Sequence, residues 1–290
     1  MHFQRSSILS LAFVAIGLVA LPARAQLVAF DSFETYSAGA LNGSNGGTGW
    51  TAAWTATANA AVQDVSGDSL TYDGGAFSID GGDRAIAIQG SSNPLFTRSF
   101  TNIAPGDSDE VFFSFLFREN NSTGSNDFMN FFVSNDGDRS NSGGMGLTSA
   151  SSGQFGTRVT ASGATNDTDL STTTPVAAET YFLVGRFSRD GTSGDPLDFD
   201  LMQLWINPTT TDFSLLGTAD SQVDFSSLID GDISFFGART VNILAGTEEY
   251  NIDELRIGTS YLGVLIPEPT SGALFLGAAA LLAFRRRRQA

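Results

Sequence analysis

The side chains that carry most protein catalysis and metal binding are missing or nearly missing from this sequence. There is no cysteine and no lysine, and the only histidine is His2. Without cysteine there is no disulfide and no thiolate zinc site, and without lysine no Schiff base can form. Because His2 falls within a predicted leader, Ser-His-Asp and Cys-His catalysis are excluded in the mature chain. Carboxylate chemistry, calcium held by oxygen ligands, or binding without catalysis remain.

The charges of the sequence are unbalanced. All 15 basic residues are arginines, against 31 acidic residues. Between residues 26 and 266 there are nine arginines and 30 acids, which gives a net charge of −21. Such a surface repels phosphate backbones, so nucleic acid is excluded as a partner.

The first 25 residues, 1–25, have the three-part order of a secretory signal peptide. Arg5 forms a short basic segment and residues 8–21 form an apolar run. Ala23 and Ala25 then supply the small residues that a signal peptidase requires. The pattern predicts export, with cleavage after Ala25.

Residues 263–290 form a second predicted targeting segment. It contains the tripeptide Pro267, Glu268 and Pro269. An apolar run at 270–284 follows, and it ends in four consecutive arginines, Arg285, Arg286, Arg287 and Arg288. Fifteen residues of helix span about 22 Å, which is short for a bilayer. A core helix cannot bury four charges, however, and arginines on the cytoplasmic side obey the positive-inside rule. The segment therefore predicts a short transmembrane helix with stop-transfer arginines.

This order of tripeptide, apolar helix and terminal arginines resembles the PEP-CTERM sorting domain of Gram-negative bacteria. The resemblance covers about the last 25 residues. It implies that exosortase, an integral-membrane transpeptidase-like enzyme, reads the tripeptide and removes the tail. The protein would then pass from an inner-membrane-anchored intermediate to the cell surface or the exopolysaccharide matrix.

Between the two ends, residues 26–262 show strand and turn patterns and no convincing helix. Residues 111–117 are apolar on both faces, which predicts a central strand beneath a second layer. Strands without intervening helices predict an all-β fold, a two-sheet antiparallel jelly-roll sandwich, preceded by the signal-peptide helix and followed by the short transmembrane helix. The predicted strands are 28–33, 77–79, 84–88, 95–100, 111–117, 128–133, 155–159, 180–187, 200–207, 233–237 and 250–257.

The aromatic residues allow two interpretations. Phenylalanine accounts for 24 of them, which favours a thick apolar core between two sheets. Trp50 and Trp54 lie in a glycine-rich stretch, 42–54, and are candidates for stacking on a carbohydrate because loops often carry function. Burial of both rings at the edge of the sandwich is the alternative.

The segments 30–34, 181–187, 204–208 and 250–257 are similar to those of concanavalin A-like lectin/glucanase domains of the LamG type. This resemblance covers residues 28–262 and implies a concanavalin A-like sandwich. Domains of this kind often hold a structural calcium between their first and last strands. By that resemblance, Asp31 and Asp253 are the candidate calcium ligands.

The acidic residues do not supply an evident catalytic pair. A retaining glycosidase needs two carboxyl groups about 5–5.5 Å apart. Asp253 and Glu254 face opposite sides of a strand, and Glu249 lies about 13 Å from Asp253 along it. Asp198 and Asp200, about 6.6 Å apart in an extended chain, fit either an inverting pair or a solvated loop. The sequence therefore predicts a protein that is not an enzyme.

Together these features predict an exported envelope or matrix protein whose sandwich serves adhesion or exopolysaccharide association. Its expected partners are exosortase, the membrane before processing, and exopolysaccharide. The alternatives are a lectin-like carbohydrate-binding module and, less favoured, a carboxylate-dependent glycoside hydrolase. Exposure of Trp50, Trp54 and Trp205 distinguishes the lectin-like alternative, because sugar stacking needs an open aromatic face.

Overall fold

The computed structural model describes residues 26–65, 70–104, 107–121, 127–148, 153–160, 166–189, 198–229 and 231–265. The predicted signal peptide, the sorting tripeptide, the apolar run and the terminal arginines lie outside the described residues. Within those ranges, no helix has both the length and the hydropathy needed to cross a bilayer.

The described residues form 18 strands, one α-helix and two 3-10 turns. The 3-10 turns are Arg139–Asn141 and Phe213–Leu215, and helix α1 is Tyr261–Leu265. The strands are β1 (Leu27–Asp31), β2 (Gly39–Ala40), β3 (Thr55–Ala56), β4 (Ala60–Asp64), β5 (Thr71–Asp73), β6 (Ser78–Asp80), β7 (Arg84–Ile88), β8 (Ser92–Ile103), β9 (Glu110–Glu119), β10 (Phe128–Ser134), β11 (Ser142–Leu147), β12 (Phe155–Thr160), β13 (Asp167–Leu170), β14 (Thr180–Ser188), β15 (Phe199–Ile206), β16 (Ser221–Ile229), β17 (Ile233–Val241) and β18 (Tyr250–Gly258).

Two large sheets face each other. The nine-stranded sheet has the order β16-β15-β14-β9-β18-β7-β4-β2, with β1 also paired to β18. The seven-stranded sheet has the order β13-β12-β11-β10-β17-β8-β3, and β5 and β6 form a separate hairpin. Neighbouring strands pair in the antiparallel sense throughout, as in β9 with β14 and β10 with β17. The predicted all-β, two-sheet jelly-roll sandwich is confirmed.

Strand β9 shows how the core is built. It lies between β14 and β18, well inside the nine-stranded sheet. Phe113, Phe115 and Phe117 point into the main core between the sheets, and each is buried. Because burying a phenylalanine contributes about 1.5–3 kcal/mol, this one face supplies a large stabilising free energy. The prediction of a central strand at 111–117 is confirmed.

The opposite face of β9 is covered by a second, smaller apolar cluster. Phe112 and Leu116 pack there with residues of the β5–β6 hairpin and of α1. The Ser114 hydroxyl donates a hydrogen bond of 2.6 Å to the backbone oxygen of Val264, which fixes α1 on this face. Both faces of β9 are thus buried, and this explains why residues 111–117 are apolar on both faces apart from Ser114, whose hydroxyl is hydrogen-bonded.

Strand β11 was not predicted, and its glycines explain why. Its sequence, Ser-Gly-Gly-Met-Gly-Leu, is typical of a turn, yet all six residues are buried. A Cβ atom at Gly143 would come within 2.6 Å of the Phe187 ring from the facing sheet. A Cβ at Gly144 would come within 2.6 Å of the Asn130 amide on the neighbouring strand. The glycines therefore make room for large neighbouring side chains, a requirement that strand propensity does not express.

Candidate functional site

The glycine-rich stretch 42–54 is largely exposed, but its two tryptophans turn toward the protein and do not form an open aromatic platform. Trp54 is 1% exposed, and its indole N–H donates to the Asp31 carboxylate at 3.1 Å. Trp50 is half-buried, and its N–H donates to the backbone oxygen of Phe30 at 3.0 Å. Trp205 is 5% exposed. Because the buried Trp54 ring has no face open to solvent, it cannot stack on a carbohydrate in this structure. Trp50 alone of the two is partly exposed.

Asp31, at the end of β1, is the centre of a buried polar network. Its Oδ2 atom accepts hydrogen bonds from the Arg98 guanidinium at 2.7 Å and from the Tyr36 hydroxyl. Its Oδ1 atom accepts from the backbone N–H of Phe33 at 3.0 Å. Asp31 is 0% exposed and Arg98 only 2%. A carboxylate held by this many donors, one of them charged, is a structural anchor.

The Arg98 guanidinium also holds the loop in place. It donates to the backbone oxygens of Ala52 at 2.7 Å and Gly46 at 2.9 Å and to the Asn45 side chain at 2.8 Å. Its carbon lies 4.8 Å from the centre of the Trp50 ring, within cation–π distance. The loop 42–54 is therefore tied to strand β8 through one arginine, and its role in this structure is architectural.

These contacts correct the prediction that Asp31 is a calcium ligand. The resemblance to LamG-type domains selected it from its strand alone, but both of its oxygens already accept hydrogen bonds. The pKa of Asp31 is raised by burial, which outweighs the opposing effects of Tyr36, Phe33 and Arg98. A cation at Asp31 would have to compete with the Arg98 guanidinium, so the residue does not fit the proposed site.

Asp253, on the last strand β18, is in a different situation. It is 0% exposed, its Oδ1 accepts from the backbone N–H of Glu254 at 2.7 Å, and its Oδ2 has no hydrogen-bond partner among the described residues. Its Oδ2 lies so close to Gly81 that a Cβ there would be 1.9 Å away. Burial, followed by the charges of Glu254, Glu34 and Asp31, raises the pKa of Asp253 well above its ordinary value.

The backbone next to Asp253 is strained. Glu254 has φ 52°, a left-handed conformation that is unfavourable for a residue with a side chain. The pairing of β18 with β9 shifts register between Asp253 and Arg256, so a bulge interrupts the strand there. The Glu254 side chain forms a buried ion pair with Arg256. Strain of this kind collects at binding and catalytic sites.

Glu34 lies close enough to Asp253 for its charge to raise the pKa of that residue. Its Oε1 accepts from the backbone N–H groups of Asp83 at 2.9 Å and Arg84 at 2.7 Å, and the side chain is exposed. A cation here would find the free oxygen of Asp253 and a second carboxylate within electrostatic range. Within the described ranges there is no group of three or more acidic residues with metal-binding geometry. Asp253 therefore keeps one carboxylate oxygen without a partner among the described residues, whereas both oxygens of Asp31 accept hydrogen bonds.

The other candidate catalytic carboxylates are hydrogen-bonded or buried within the protein. Glu249 accepts from the side chains of Gln63 at 3.2 Å, Asn120 at 2.7 Å and Gln89 at 2.6 Å. Asp198 and Asp200 are 1% and 0% exposed, so the expectation of a solvated loop is wrong for these side chains.

The carboxylates of Asp198 and Asp200 lie near Arg189. Burial lowers the pKa of this arginine, and the charges of the two carboxylates oppose that effect. Asp198 and Asp200 are thus held below the surface beside a cation, where a polysaccharide cannot reach them.

Tyr36, Arg98 and Gly81 organise these two buried sites, and none of them was predicted as a site residue from the sequence. Arg98 lies 67 positions from Asp31, and no local pattern joins them. The one available signal was an arginine at an inward position of an alternating strand, which implies a buried counter-charge.

No protein family profile matches this sequence, and no curated protein matches it. Similar solved structures include the botulinum neurotoxin serotype G binding domain, with 11% identity and TM-score 0.45, covering 75% of this chain and 46% of that one. Another is an endo-β-1,4-glucuronan lyase from the fungus Trichoderma reesei, with 16% identity and TM-score 0.45, covering 80% and 98%. A third is the Emp47p carbohydrate recognition domain, with 9% identity and TM-score 0.42, covering 79% and 96%. The chain spans less than half the length of the first of these proteins, and at such identities the likeness concerns the fold alone.

Proposed function

We propose that this chain is an exported, non-catalytic envelope or matrix protein whose sandwich serves adhesion or exopolysaccharide association. In this proposal the PEP-CTERM signal delivers it to the surface of a Gram-negative bacterium. The terminal sequences support the route, since the leader, the tripeptide, the apolar run and the arginines stand in the required order. Binding rather than catalysis is supported because the candidate carboxylates are buried or already engaged in protein contacts.

The observation that carries the non-catalytic assignment is that the candidate acids are buried or engaged. A glycosidase needs one carboxyl group to protonate the leaving group and a second to attack or to activate water. Asp31 is paired with Arg98 and Glu254 with Arg256. Asp253 has a raised pKa, as a general acid would, but it is 0% exposed and no substrate can touch it. We therefore expect no hydrolysis of neutral or acidic polysaccharides, and a rate above that of heat-treated protein would contradict the assignment.

The sorting step is tested by changing the tripeptide. Replacing Pro267, Glu268 and Pro269 with alanine should leave export intact but trap a full-length, membrane-bound form, because the recognition element is gone while the apolar helix remains. Intact mass and cell fractionation measure both cleavages together. Gln289→Ala, which alters the tail but leaves its four arginines, is the matched control and should be processed as the wild type is. Normal processing of the triple variant would refute the sorting role.

A structural calcium at Asp253 is the second part of the proposal. The unpartnered Oδ2 atom, with the charge of Glu34 nearby, would hold the ion, and a bound cation would reverse the electrostatic cost of burying Asp253 among carboxylates. Extracellular calcium modules bind at about 10⁻⁴–10⁻³ M. At a hundredfold excess over such a constant, calcium would add about 2.7 kcal/mol to the free energy of unfolding.

Thermal unfolding with calcium and with a chelator tests this site. We expect calcium to raise the melting temperature of the wild type by about 5–10 °C, given about 2–4 °C per kcal/mol for a domain of this size. Asp253→Asn should abolish the shift. Asp83→Asn, which removes an exposed carboxylate from the adjacent turn, should retain it. An equal melting temperature with calcium and with chelator would refute the calcium site and would leave the sorting proposal untouched.

A further inference from the structure

Three arginines gather on the outer face of the seven-stranded sheet. Arg158 lies in β12, Arg239 in β17, and Arg139 in the 3-10 turn that follows β10. The guanidinium carbons of Arg158 and Arg239 lie 5.3 and 5.0 Å from the centre of the Phe128 ring. These two carbons are therefore no more than about 10 Å apart. The three cations form what we call the arginine face, which consists of Arg139, Arg158 and Arg239.

Register places Arg158 and Arg239 on the side of the sheet away from the core, and the 3-10 turn that carries Arg139 packs against β12 and β10. Arg239 pairs with Asn130, and Arg158 pairs with Gly144, which in turn pairs with Phe132. Phe128, Asn130 and Phe132 alternate along β10 with residues of the main core, so they share the outer face. The arginine face thus extends across four adjacent strands, from β12 to β17.

Among the described residues, no arginine of this face forms an ion pair with a carboxylate. The four ion pairs in that part of the chain use Arg84, Arg98, Arg186 and Arg256. Burial, followed by the charges of Arg239 and Arg139, lowers the pKa of Arg158 to about 10. In a chain with twice as many acids as bases, three cations that repel one another thus lie together.

A second observation concerns hydrogen-bond donors that lack acceptors. Asn130 is 4% exposed, and its Nδ2 atom has no partner among the described residues. The Nε atom of Arg239 is likewise buried and unpartnered within the described ranges. Both atoms are donors, and they lie on paired residues of neighbouring strands. A buried donor without an acceptor is destabilising, so within the described ranges the protein itself does not satisfy the donors of this face.

The floor of the site is filled by side chains. The Phe132 ring covers Gly237, where a Cβ would come within 2.7 Å of it, and the Asn130 amide covers Gly144. Because Phe132 is 0% exposed, a ligand would meet the arginine side chains above this floor and not the sheet itself. The arginines themselves are half-buried and remain accessible to solvent.

We propose that the arginine face binds an acidic polysaccharide through its anionic groups, with the half-buried guanidinium groups of Arg139, Arg158 and Arg239 as the donors. Carboxylates of uronic acids and sulfate esters share the required chemistry, since both offer planar or clustered anionic oxygens to guanidinium donors. This inference rests on the proposed function, in which the mature sandwich meets exopolysaccharide. The acidic remainder of the surface repels a polyanion, so binding concentrates at this face.

The test is binding of the full chain, purified in mild detergent, to immobilised polysaccharides in chelator-containing buffer. The probes are alginate for carboxylate, dextran sulfate for sulfate, and dextran as the neutral control. We expect binding to one or both acidic polymers and none to dextran. Alginate alone would assign the ligand to uronates and dextran sulfate alone to sulfate esters. Absence of binding to both acidic polymers, or equal binding to dextran, would overturn the proposal.

Substitutions locate the binding to this face. Arg158→Gln and Arg239→Gln should each weaken it by at least about tenfold, since a hydrogen bond to a charged group contributes about 1.5–3 kcal/mol. Arg84→Gln removes the same charge from an exposed ion pair on β7 and is the matched control. Equal loss in the control would mean attraction to net charge and would refute the site.

Thermal unfolding without ligand guards against misfolding. Because each substitution relieves repulsion between arginines, the variants should melt at or above the wild-type temperature. If both variants melt much lower, Arg158→Lys replaces them: it keeps the charge but loses the planar fork, and full retention of binding would then contradict guanidinium recognition. A protein that is sorted normally yet ignores acidic polysaccharides would refute this inference alone.

Discussion

Removing Arg98 should strongly destabilise the sandwich. Arg98→Met keeps most of the apolar stem but deletes the guanidinium, so Asp31 loses its 2.7 Å ion pair and the loop loses its bonds at Ala52 and Gly46. Taking one partner from a buried ion pair costs about 3–5 kcal/mol. For a domain of this size, that corresponds to a fall in melting temperature of about 6–20 °C.

The effect should also depend on pH in a defined direction. Without the guanidinium, the pKa of Asp31 rises further, because the attraction to Arg98 opposed the effect of burial. The folded variant then holds the proton to higher pH than the unfolded chain does. Its stability is therefore fully retained below the unfolded carboxyl pKa, about 3.9, and is lost as the pH rises through the folded value. The difference between wild type and Arg98→Met should accordingly be larger at neutral pH than in acid.

Urea denaturation followed by tryptophan fluorescence measures this directly, since the rings of Trp50 and Trp54 lie beside Arg98. The matched control is Arg84→Met, whose ion pair with Asp64 is exposed and should contribute less than about 1 kcal/mol. If Arg98→Met changes the free energy of unfolding no more than this control does, the loop is not anchored as the structure indicates.

Three further predictions concern the interior. In metal-free protein, the wild type should lose stability as the pH rises from about 3.9 through the raised folded pKa of Asp253, and Asp253→Asn should remove that loss. Urea denaturation across pH measures the effect, and an unchanged profile in the variant would contradict the burial of that charge. Gly81→Ala should destabilise the fold by about 1–3 kcal/mol, because its Cβ would lie 1.9 Å from Asp253 Oδ2 and 2.8 Å from the Leu70 oxygen; a wild-type denaturation midpoint would refute this packing. Phe117→Ala should cost about 3–5 kcal/mol in thermal unfolding, whereas Leu215→Ala, at a site 70% exposed, should cost almost nothing, and similar values for both would contradict the assigned core.

Alternation of apolar residues predicted most of the sandwich because it is a local property of a strand. Along β15, Met202 and Leu204 enter the core and Gln203 faces out, as their spacing indicates. The same reasoning failed for β11, where Gly143 makes room for Phe187 from the other sheet. Local patterns report how one strand meets water, but they do not report which distant ring fills the space above a glycine.

The candidate site was harder to predict than the fold for a related reason. The resemblance to LamG-type domains selected Asp31 and Asp253 together because both strands meet at one place, and β1 does pair with β18. What separates the two carboxylates is their partners, and those partners come from β8 for one and from the turn at Gly81 for the other. Whether a buried acid is an anchor or a ligand depends on contacts that span most of the chain, and the local sequence does not record them.

Arginine placement offers a general lesson about charge in this molecule. With no lysine, every cation of the sandwich is a guanidinium, which stays charged when buried and can bond to several acceptors at once. Arg98 uses this property to hold a loop and a carboxylate together. Arg158 and Arg239 have the same chemistry but face no carboxylate within the described residues, so their bonding capacity is directed outward. The same residue type thus serves architecture where an acid faces it and, in our proposal, recognition where none does, which is why burial and pairing must be considered together.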